Sequence, residues 1–188
     1  MQKSTRTISL VILLNFLYFF VEFYYAKRIG SVALFADSID FLEDATTNFI
    51  ALIALSLPFI YRKYISYFLL LVFLLPAISA FILIINKLIN PVPPEAFTLT
   101  YVASGALIIN SLCSFLLSKL NYNQNSLLKT IYLSARNDVF SNLLIITAGL
   151  ITLIHPSFIY DLLVGSFVLA INLLAIKEIL SDIKQKKI

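Results

Sequence analysis

The chain has 188 residues, of which 60% are hydrophobic and only 13% are charged, and its mean hydropathy is +0.93. About a quarter of the residues of a soluble domain are charged, so this composition excludes a soluble globular protein and indicates an integral membrane protein. The single cysteine, Cys113, excludes an internal disulfide and a cysteine-based zinc cluster, and the single histidine, His155, excludes a histidine-rich metal site. The net charge of +4 does not indicate a nucleic-acid partner, because the basic residues lie mainly at the ends of apolar segments.

Apolar segments of about 18 or more residues recur along almost the whole chain, and each is long enough to cross a bilayer as a helix. We therefore predict a single all-α transmembrane domain over residues 1–188, with no soluble domain. The first segment is similar to a signal peptide, but Glu22 interrupts it and we see no convincing cleavage site, so we interpret it as a helix that remains. The six predicted spans cover approximately residues 7–25, 32–60, 67–88, 98–117, 127–154 and 158–180.

The distribution of lysine and arginine predicts the orientation of the spans. Only Lys27, Arg28 and Lys87 lie at one end of the predicted bundle, and Arg136 lies within a span. All other basic residues lie at the opposite end, and membrane proteins concentrate lysine and arginine on the cytoplasmic side. We therefore predict that both termini are cytoplasmic, in a multi-pass protein of the cell membrane, with a bacterial inner membrane as the expected location.

Two ladders of polar residues lie within spans that are otherwise apolar. Their members recur at intervals of three or four residues, so each ladder occupies one face of its helix. The ladder of the second span consists of Asp37, Asp40, Asp44 and Asn48, and the ladder of the fifth span consists of Ser134, Asp138 and Asn142. The two spans run antiparallel, and the central Asp of each ladder falls near the middle of its span. Facing each other, the ladders would place oxygen atoms around one point near the midplane, where transporters hold their substrates.

A carboxylate in the middle of a bilayer costs roughly 2.5–3.5 kcal/mol on insertion scales, so several of them require partners. The alternative reading is that the polar groups only join helices through hydrogen bonds, which fits a single asparagine or serine in a membrane helix. Helices can associate through small residues and amides, without carboxylates. We therefore predict that Asp40, Asp44 and Asp138 bind a divalent cation.

Other polar residues are expected to support the ligands or to line the pathway: Glu22, Asp37, Glu43, Asn48, Asn137 and Asn142. Glu43 and Asn137 each precede the central Asp of a ladder, and their helical faces differ from it by about 100°. We expect both to support the ligands from behind. Asp37 either caps its helix or lines the extracellular approach, and Glu22 shares one face of the first span with Asn15, toward the same polar interior.

The run from Gly30 to Asp40, Gly-Ser-Val-Ala-Leu-Phe-Ala-Asp-Ser-Ile-Asp, is followed by a second acid four residues on. It resembles the second-helix signature of the cation diffusion facilitator family of divalent-metal transporters. The resemblance covers nearly the whole chain, with six spans in matching order. It implies that Asp40 and Asp44 are metal ligands on the second helix, and that Ser134 and Asp138 are the ligand pair on the fifth.

The chain departs from the family pattern in two ways. Family members usually have histidine or aspartate at the position of Ser134, so this ligand is weakened or replaced by water or by Asn137. Short bacterial cation transporters share motifs of this style, so the serine need not mean loss of function. The cytoplasmic C-terminal domain that supports dimers in many relatives is also missing, so a homodimer would form through the transmembrane helices.

The resemblance implies export of a divalent cation from the cytoplasm in exchange for protons, without enzymatic activity and with the metal as substrate. Clustered carboxylates repel one another and hold protons when the metal is absent, so metal and protons compete for the same oxygens. Zinc is the family's commonest substrate, whereas ligands of oxygen alone favour manganese or iron(II), and we place zinc first. One alternative is a membrane sensor or helper that binds metal without transport. The other is a membrane-embedded metal-dependent enzyme, whose motifs we do not find.

Overall fold

The computed structural model describes residues 2–54, 62–120 and 126–184. Within these residues all regular secondary structure is helical, and six helices follow the six predicted spans in order. Their bounds are α1 Gln2–Ile29, α2 Val32–Ala54, α3 Arg62–Ile89, α4 Ala96–Ser118, α5 Ser126–Ile154 and α6 Phe158–Lys184. Residues 55–60, the end of the second predicted span, lie outside the described residues.

Three of the described helices contain segments long and apolar enough to cross a membrane, namely Ser4–Ile29 in α1, Ala96–Ser118 in α4 and Ile131–Ile154 in α5. Shorter apolar segments, Leu74–Ile89 and Phe158–Leu174, lie in α3 and α6. Large apolar side chains project outward from these five helices. A surface of this kind indicates that the chain is a membrane protein. That all six helices cross the bilayer, with both termini in the cytoplasm, stays a prediction.

The second helix occupies the centre of the bundle. α2 contacts α1, α3, α5 and α6, while α4 packs against α1 and α5 and thereby closes a ring of four helices with α2. α3 and α6 pack against each other and against α2. Because neighbours surround it, every side chain from Ser31 to Ile39 is buried. The acidic ladder of α2 therefore faces the interior of the protein.

α1 ends at a glycine in the left-handed region, which allows a tight turn into α2. Gly30 has a φ of 64°, a conformation that glycine adopts without steric cost. The amide of Ser31 donates a hydrogen bond to the carbonyl of Ala26 at 3.0 Å, which completes a Schellman-type helix end. The Nζ of Lys87, near the end of α3, donates to the Gly30 carbonyl at 2.6 Å. The ends of α1 and α3 are thus tied together beside the start of α2.

A carboxylate from α6 caps the first turn of α2. Asp161 accepts hydrogen bonds from the backbone amides of Val32 at 2.9 Å and Ala33 at 3.1 Å. It also accepts one from the Ser31 hydroxyl at 2.5 Å, and its Oδ2 lies 3.7 Å from the Nζ of Lys87. These five residues form the Asp161 junction. Because Asp161 is completely buried, its charge is compensated by the protein alone.

A glycine on α6 permits the close approach of α6 to α2. A Cβ on Gly165 would lie 2.6 Å from the amide nitrogen of Ala33 and 2.6 Å from the carbonyl carbon of Val32. Atoms that close would clash, so only glycine allows this packing distance. This contact lies one helical turn from Asp161. The close contact at Gly165 and the hydrogen bonds of Asp161 together fix α6 beside the acidic ladder of α2.

Candidate functional site

A cavity of about 330 Å³ has walls formed by α2, α5 and α6. One part of its wall is polar and carries all four predicted metal ligands. The polar residues that α2 and the first half of α5 contribute to the wall are Asp40, Glu43, Asp44, Ser134, Asn137 and Asp138. We refer to this space as the acidic cavity. The structure therefore brings the ladders of the second and fifth predicted spans to one place.

The two ladders meet at Asp44 and Asp138. The hydroxyl of Ser134 donates a hydrogen bond to Asp44 Oδ1 at 2.9 Å. The carboxyl groups of Asp44 and Asp138 lie within hydrogen-bonding reach of each other. Within the described residues, Asp44 Oδ2 is buried without a hydrogen-bonding partner. Ser134 thus holds one oxygen of Asp44 and leaves the other oxygen available to a ligand.

Asp40 lies where the cavity meets α6. Its carboxyl group is within hydrogen-bonding reach of the side chain of Asn172, a buried residue of α6 that also lines the cavity. The Asn172 Nδ2 lies 3.4 Å from the carbonyl oxygen of Ala36. Asn172 is not among the site residues predicted from the sequence. The signal that could have indicated it is that Asn172 is an isolated amide within the apolar part of the sixth span.

Glu43 and Asn137 lie on the wall of the cavity itself, although their helical faces led us to expect them behind the ligands. The cavity is wider than the two ladders, so it reaches the side chains that precede Asp44 and Asp138 by one residue. Both residues can therefore contact the contents of the cavity directly. Glu43 adds a fourth carboxyl group to the wall.

The amides one turn beyond the central acids bond to the backbone of their own helices. Asn48 Nδ2 donates to the carbonyl of Asp44 at 2.8 Å, and Asn142 Nδ2 donates to the carbonyl of Asp138 at 2.6 Å. Both side chains are completely buried, and the Oδ1 atom of each lacks a partner among the described residues. The described wall of the cavity does not include them. They support the ladders without facing the cavity.

Two further acids are buried outside the acidic cavity, one on α1 and one on α2. Glu22 and Asp37 are both 0% exposed, and neither belongs to the described wall of the cavity. Their carboxyl groups lie within hydrogen-bonding reach of each other, and Asp37 Oδ1 lies 3.5 Å from Asn142 Nδ2. Glu22 thus faces the polar interior, as its helical face predicts, and Asp37 lies in the same interior.

The acidic cavity offers oxygen ligands without a compensating positive charge. No lysine, arginine or histidine belongs to its wall in the part of the chain that the structure describes. The sulfur of Cys113 lies 3.6 Å from Asn15 Oδ1 and does not line the cavity. Among the described residues, no three His, Cys, Asp or Glu side chains are grouped closely enough to hold a metal ion as they stand. The carboxyl groups line the space from α2 and α5 without converging on one point.

The rest of the wall is mainly apolar, with Ser141 as a further polar residue, and it reaches the outer surface of the bundle. Phe140 of α5 and Phe167 of α6 are 62% and 54% exposed, and both line the cavity. The cavity is therefore bordered by exposed apolar side chains on one side and by acids on the other.

No model of a known protein family matches the chain, and a comparison with curated proteins finds no similar sequence. The resemblance to the cation diffusion facilitators stays an expectation that rests on the motifs of the second and fifth spans.

Proposed function

We propose that this protein is a membrane transporter that exports a divalent metal cation, with zinc as the first candidate, in exchange for protons. The observation that carries the proposal is the acidic cavity. Asp44 and Asp138 come from different helices and lie side by side on its wall, and no basic residue belongs to the described part of that wall. Adjacent carboxylates repel each other when little water surrounds them, so a cation from outside the protein stabilises them.

The proposed ligands differ in how freely they can contact the cation. Asp40, Asp44 and Asp138 each supply carboxylate oxygens. The Ser134 hydroxyl donates its hydrogen to Asp44, so it orients that ligand and has only lone pairs left for the cation. Carboxylate and hydroxyl oxygens suit manganese and iron(II), while zinc accepts carboxylates in a tetrahedral site. The resemblance places zinc first, and manganese and iron(II) are the competing substrates.

Exchange for protons follows from competition for the same oxygens. A carboxylate must be deprotonated before it coordinates a metal ion, so metal binding displaces protons and protons displace metal. If the cavity opens to one side of the membrane at a time, this competition couples an inward proton flux to an outward metal flux. Asp40, Asp44 and Asp138 would take part in both.

The proposed arrangement has six membrane spans and both termini in the cytoplasm, with any homodimer formed through the transmembrane helices. The contacts of the outer basic residues support it. Lys87 bonds to Gly30, which follows Lys27 and Arg28 after the end of α1. The three basic residues assigned to the non-cytoplasmic side thus belong to the same end of the bundle.

The test of this proposal is metal flux into proteoliposomes. Purified wild type and Asp44→Ala would be reconstituted, and uptake of zinc, manganese and iron(II) would be measured across an imposed proton gradient. We expect saturable uptake that responds to the gradient in wild type and is abolished in Asp44→Ala. Glu95→Gln is the matched control, because Glu95 is an exposed carboxylate beside α4, outside the cavity.

Two results would count against the proposal in different ways. Unchanged flux in Asp44→Ala would remove the acidic cavity from the transport pathway. Absence of flux for all three metals, with metal binding still measurable, would identify a sensor or helper rather than a transporter.

A further inference from the structure

The pair formed by Glu22 of α1 and Asp37 of α2 lies apart from the acidic cavity. Both side chains are completely buried, and their carboxyl groups lie within hydrogen-bonding reach of each other. Neither residue belongs to the described wall of the cavity. The proposed metal site therefore does not explain why the protein buries these two acids together.

The pair lacks hydrogen-bond donors among the described residues. Both carboxylate oxygens of Glu22 and the Oδ2 of Asp37 are without a partner there. The remaining oxygen, Asp37 Oδ1, lies 3.5 Å from Asn142 Nδ2, at the limit of a hydrogen bond. Asn142 is itself completely buried and directs this amide toward the pair from α5. Three helices, α1, α2 and α5, thus converge on carboxylate oxygens that lack a hydrogen-bond donor among the described residues.

The neighbouring charged and titratable groups do not supply a positive charge. Tyr18 of α1 acts electrostatically on both acids, but its hydroxyl donates to the carbonyl of Val102 at 2.7 Å. In the part of the chain that the structure describes, the other groups that act electrostatically on the pair are acids, Asp40 on the same helix as Asp37 and Asp138 on α5. On α4, Tyr101 interacts electrostatically with Tyr18 and is largely exposed. A second negative charge at the pair would therefore be strongly unfavourable.

A single proton resolves this conflict. Two carboxyl groups at hydrogen-bonding distance cannot both stay ionised in a buried site, and a shared proton turns their repulsion into an O–H···O⁻ hydrogen bond. A metal ion is a poorer occupant, because a structural or transported cation takes at least four ligands. Among the described residues only two carboxylates and one amide converge here, and neither acid belongs to the described wall of the cavity.

We propose that Glu22 and Asp37 share one proton and form a proton-binding pair that is separate from the acidic cavity. The shared proton does not depend on the transport proposal. If the chain is a proton-coupled transporter, the pair holds a proton beside the metal site while Asp40 and Asp138 are occupied by the cation. Charge on the pair would then respond to charge in the cavity, because both acids act electrostatically on Asp40.

Infrared spectroscopy of the purified full chain tests the proposal without any metal. A protonated carboxyl group has a C=O stretching band distinct from that of a carboxylate, and this band shifts in D₂O. We expect the difference spectrum between wild type and Glu22→Gln at neutral pH to contain one protonated-carboxyl band of the wild type, because the glutamine amide supplies the hydrogen that the proton supplied. Protonated acids of the metal-free cavity contribute equally to both samples and cancel in the difference. Asp37→Asn should lose the same band for the same reason. The exposed Glu95→Gln control should keep it.

The outcomes separate this proposal from that of transport. Identical carboxyl bands in wild type, Glu22→Gln and Asp37→Asn would overturn the shared proton, provided that size-exclusion chromatography shows both variants to be folded. If Asp44→Ala has lost metal flux but keeps the band, the two sites are distinct as proposed. A band that persists in a wild type without metal flux would support the pair while contradicting the proposed transport. If one of the two variants does not fold, the comparison of the other with wild type tests the shared proton.

Discussion

Two regions of this protein bury carboxylates, and the carboxylates of the two regions differ in their hydrogen-bonding partners. At the Asp161 junction, one carboxylate receives hydrogen bonds from two backbone amides and a hydroxyl and lies beside a lysine. In the interior, Glu22, Asp37 and Asp44 together keep four carboxylate oxygens without a partner among the described residues. All four acids are at most 4% exposed. Burial is the same in both regions, and only the partners differ.

The difference separates a structural acid from a functional one. A buried carboxylate that is fully paired stabilises its surroundings, and removing it leaves its partners unsatisfied. A buried carboxylate without a partner lowers the stability of the protein, and we propose that such a group binds a cation or a proton. The Asp161 junction belongs to the first kind. Asp44 of the acidic cavity and the Glu22–Asp37 pair have the unpaired oxygens of the second kind.

The largest expected effect on stability is that of Asp161→Ala. The substitution removes the cap of α2 and leaves Lys87 charged and buried without its counter-ion. We expect a loss of about 3–5 kcal/mol, the range typical of breaking a buried ion pair. Thermal or denaturant unfolding in detergent would measure it, with Glu95→Ala as the control at an exposed carboxylate.

A double variant sharpens this prediction. Adding Lys87→Met to Asp161→Ala removes the unpaired charge, so part of the lost stability should return. If Asp161→Ala unfolds within about 0.5 kcal/mol of wild type, as ordinary surface substitutions do, the junction is not the structural element that its geometry indicates.

A smaller loss of stability is expected for Gly165→Ala. The new methyl group would meet the backbone of Val32 and Ala33, which cannot move without disturbing the start of α2. Overpacking of this kind costs about 1–3 kcal/mol. Ala170→Val adds bulk to an exposed position of the same helix and should change stability much less. Equal unfolding of the two variants would show that α6 does not need its close approach to α2.

Ser134→Ala should weaken metal binding without removing it. The Ser134 hydroxyl orients Asp44 through its hydrogen bond, and loss of a group that orients a ligand typically lowers metal affinity by roughly 10- to 100-fold. Titration of purified protein with zinc and manganese would measure the change. A complete loss of binding would mean that Ser134 is an essential ligand, and an unchanged affinity would mean that its hydrogen bond to Asp44 does not matter for the cation.

The smallest effect on stability is expected for Asp44→Asn. Because Asp44 Oδ2 lacks a partner among the described residues, neutralising the side chain should leave the free energy of unfolding within about 0.5 kcal/mol of wild type, or raise it. The same change at Asp161 replaces an accepting oxygen with an amide and should destabilise the protein. If Asp44→Asn lowers the free energy of unfolding as much as the same change at Asp161 does, the two regions do not differ as proposed.

The sequence was sufficient to predict the helices and the meeting of the ladders. Apolar length locates six helical segments, and the spacing of Asp40 and Asp44 on one face, repeated by Ser134 and Asp138, places both ladders toward a common interior. Both signals are local, so a single sequence contains them. The structure agrees that Asp44 and Asp138 are neighbours.

The partners of the remaining acids were not predictable, because they depend on contacts between distant segments. Asp161 near the start of a span looks like a residue of the membrane interface, yet it caps a helix some 130 residues earlier in the chain. Asn172 is not part of a series of polar residues at intervals of three or four, so helical periodicity does not indicate it. Glu43 reaches the cavity only because the cavity is wider than the ladder. Helical periodicity reports the face of a side chain but not the width of the space that it faces.

The most direct test of the central claim is equilibrium binding of zinc, manganese and iron(II) to the purified protein in detergent. Wild type, Asp44→Ala, Asp138→Ala and Glu95→Gln would be compared by titration calorimetry. The acids of the cavity are predicted to bind a divalent cation, so wild type and Glu95→Gln should show saturable binding that both cavity variants lack. Wild type that binds none of the three metals, or cavity variants that bind as tightly as wild type, would contradict the account.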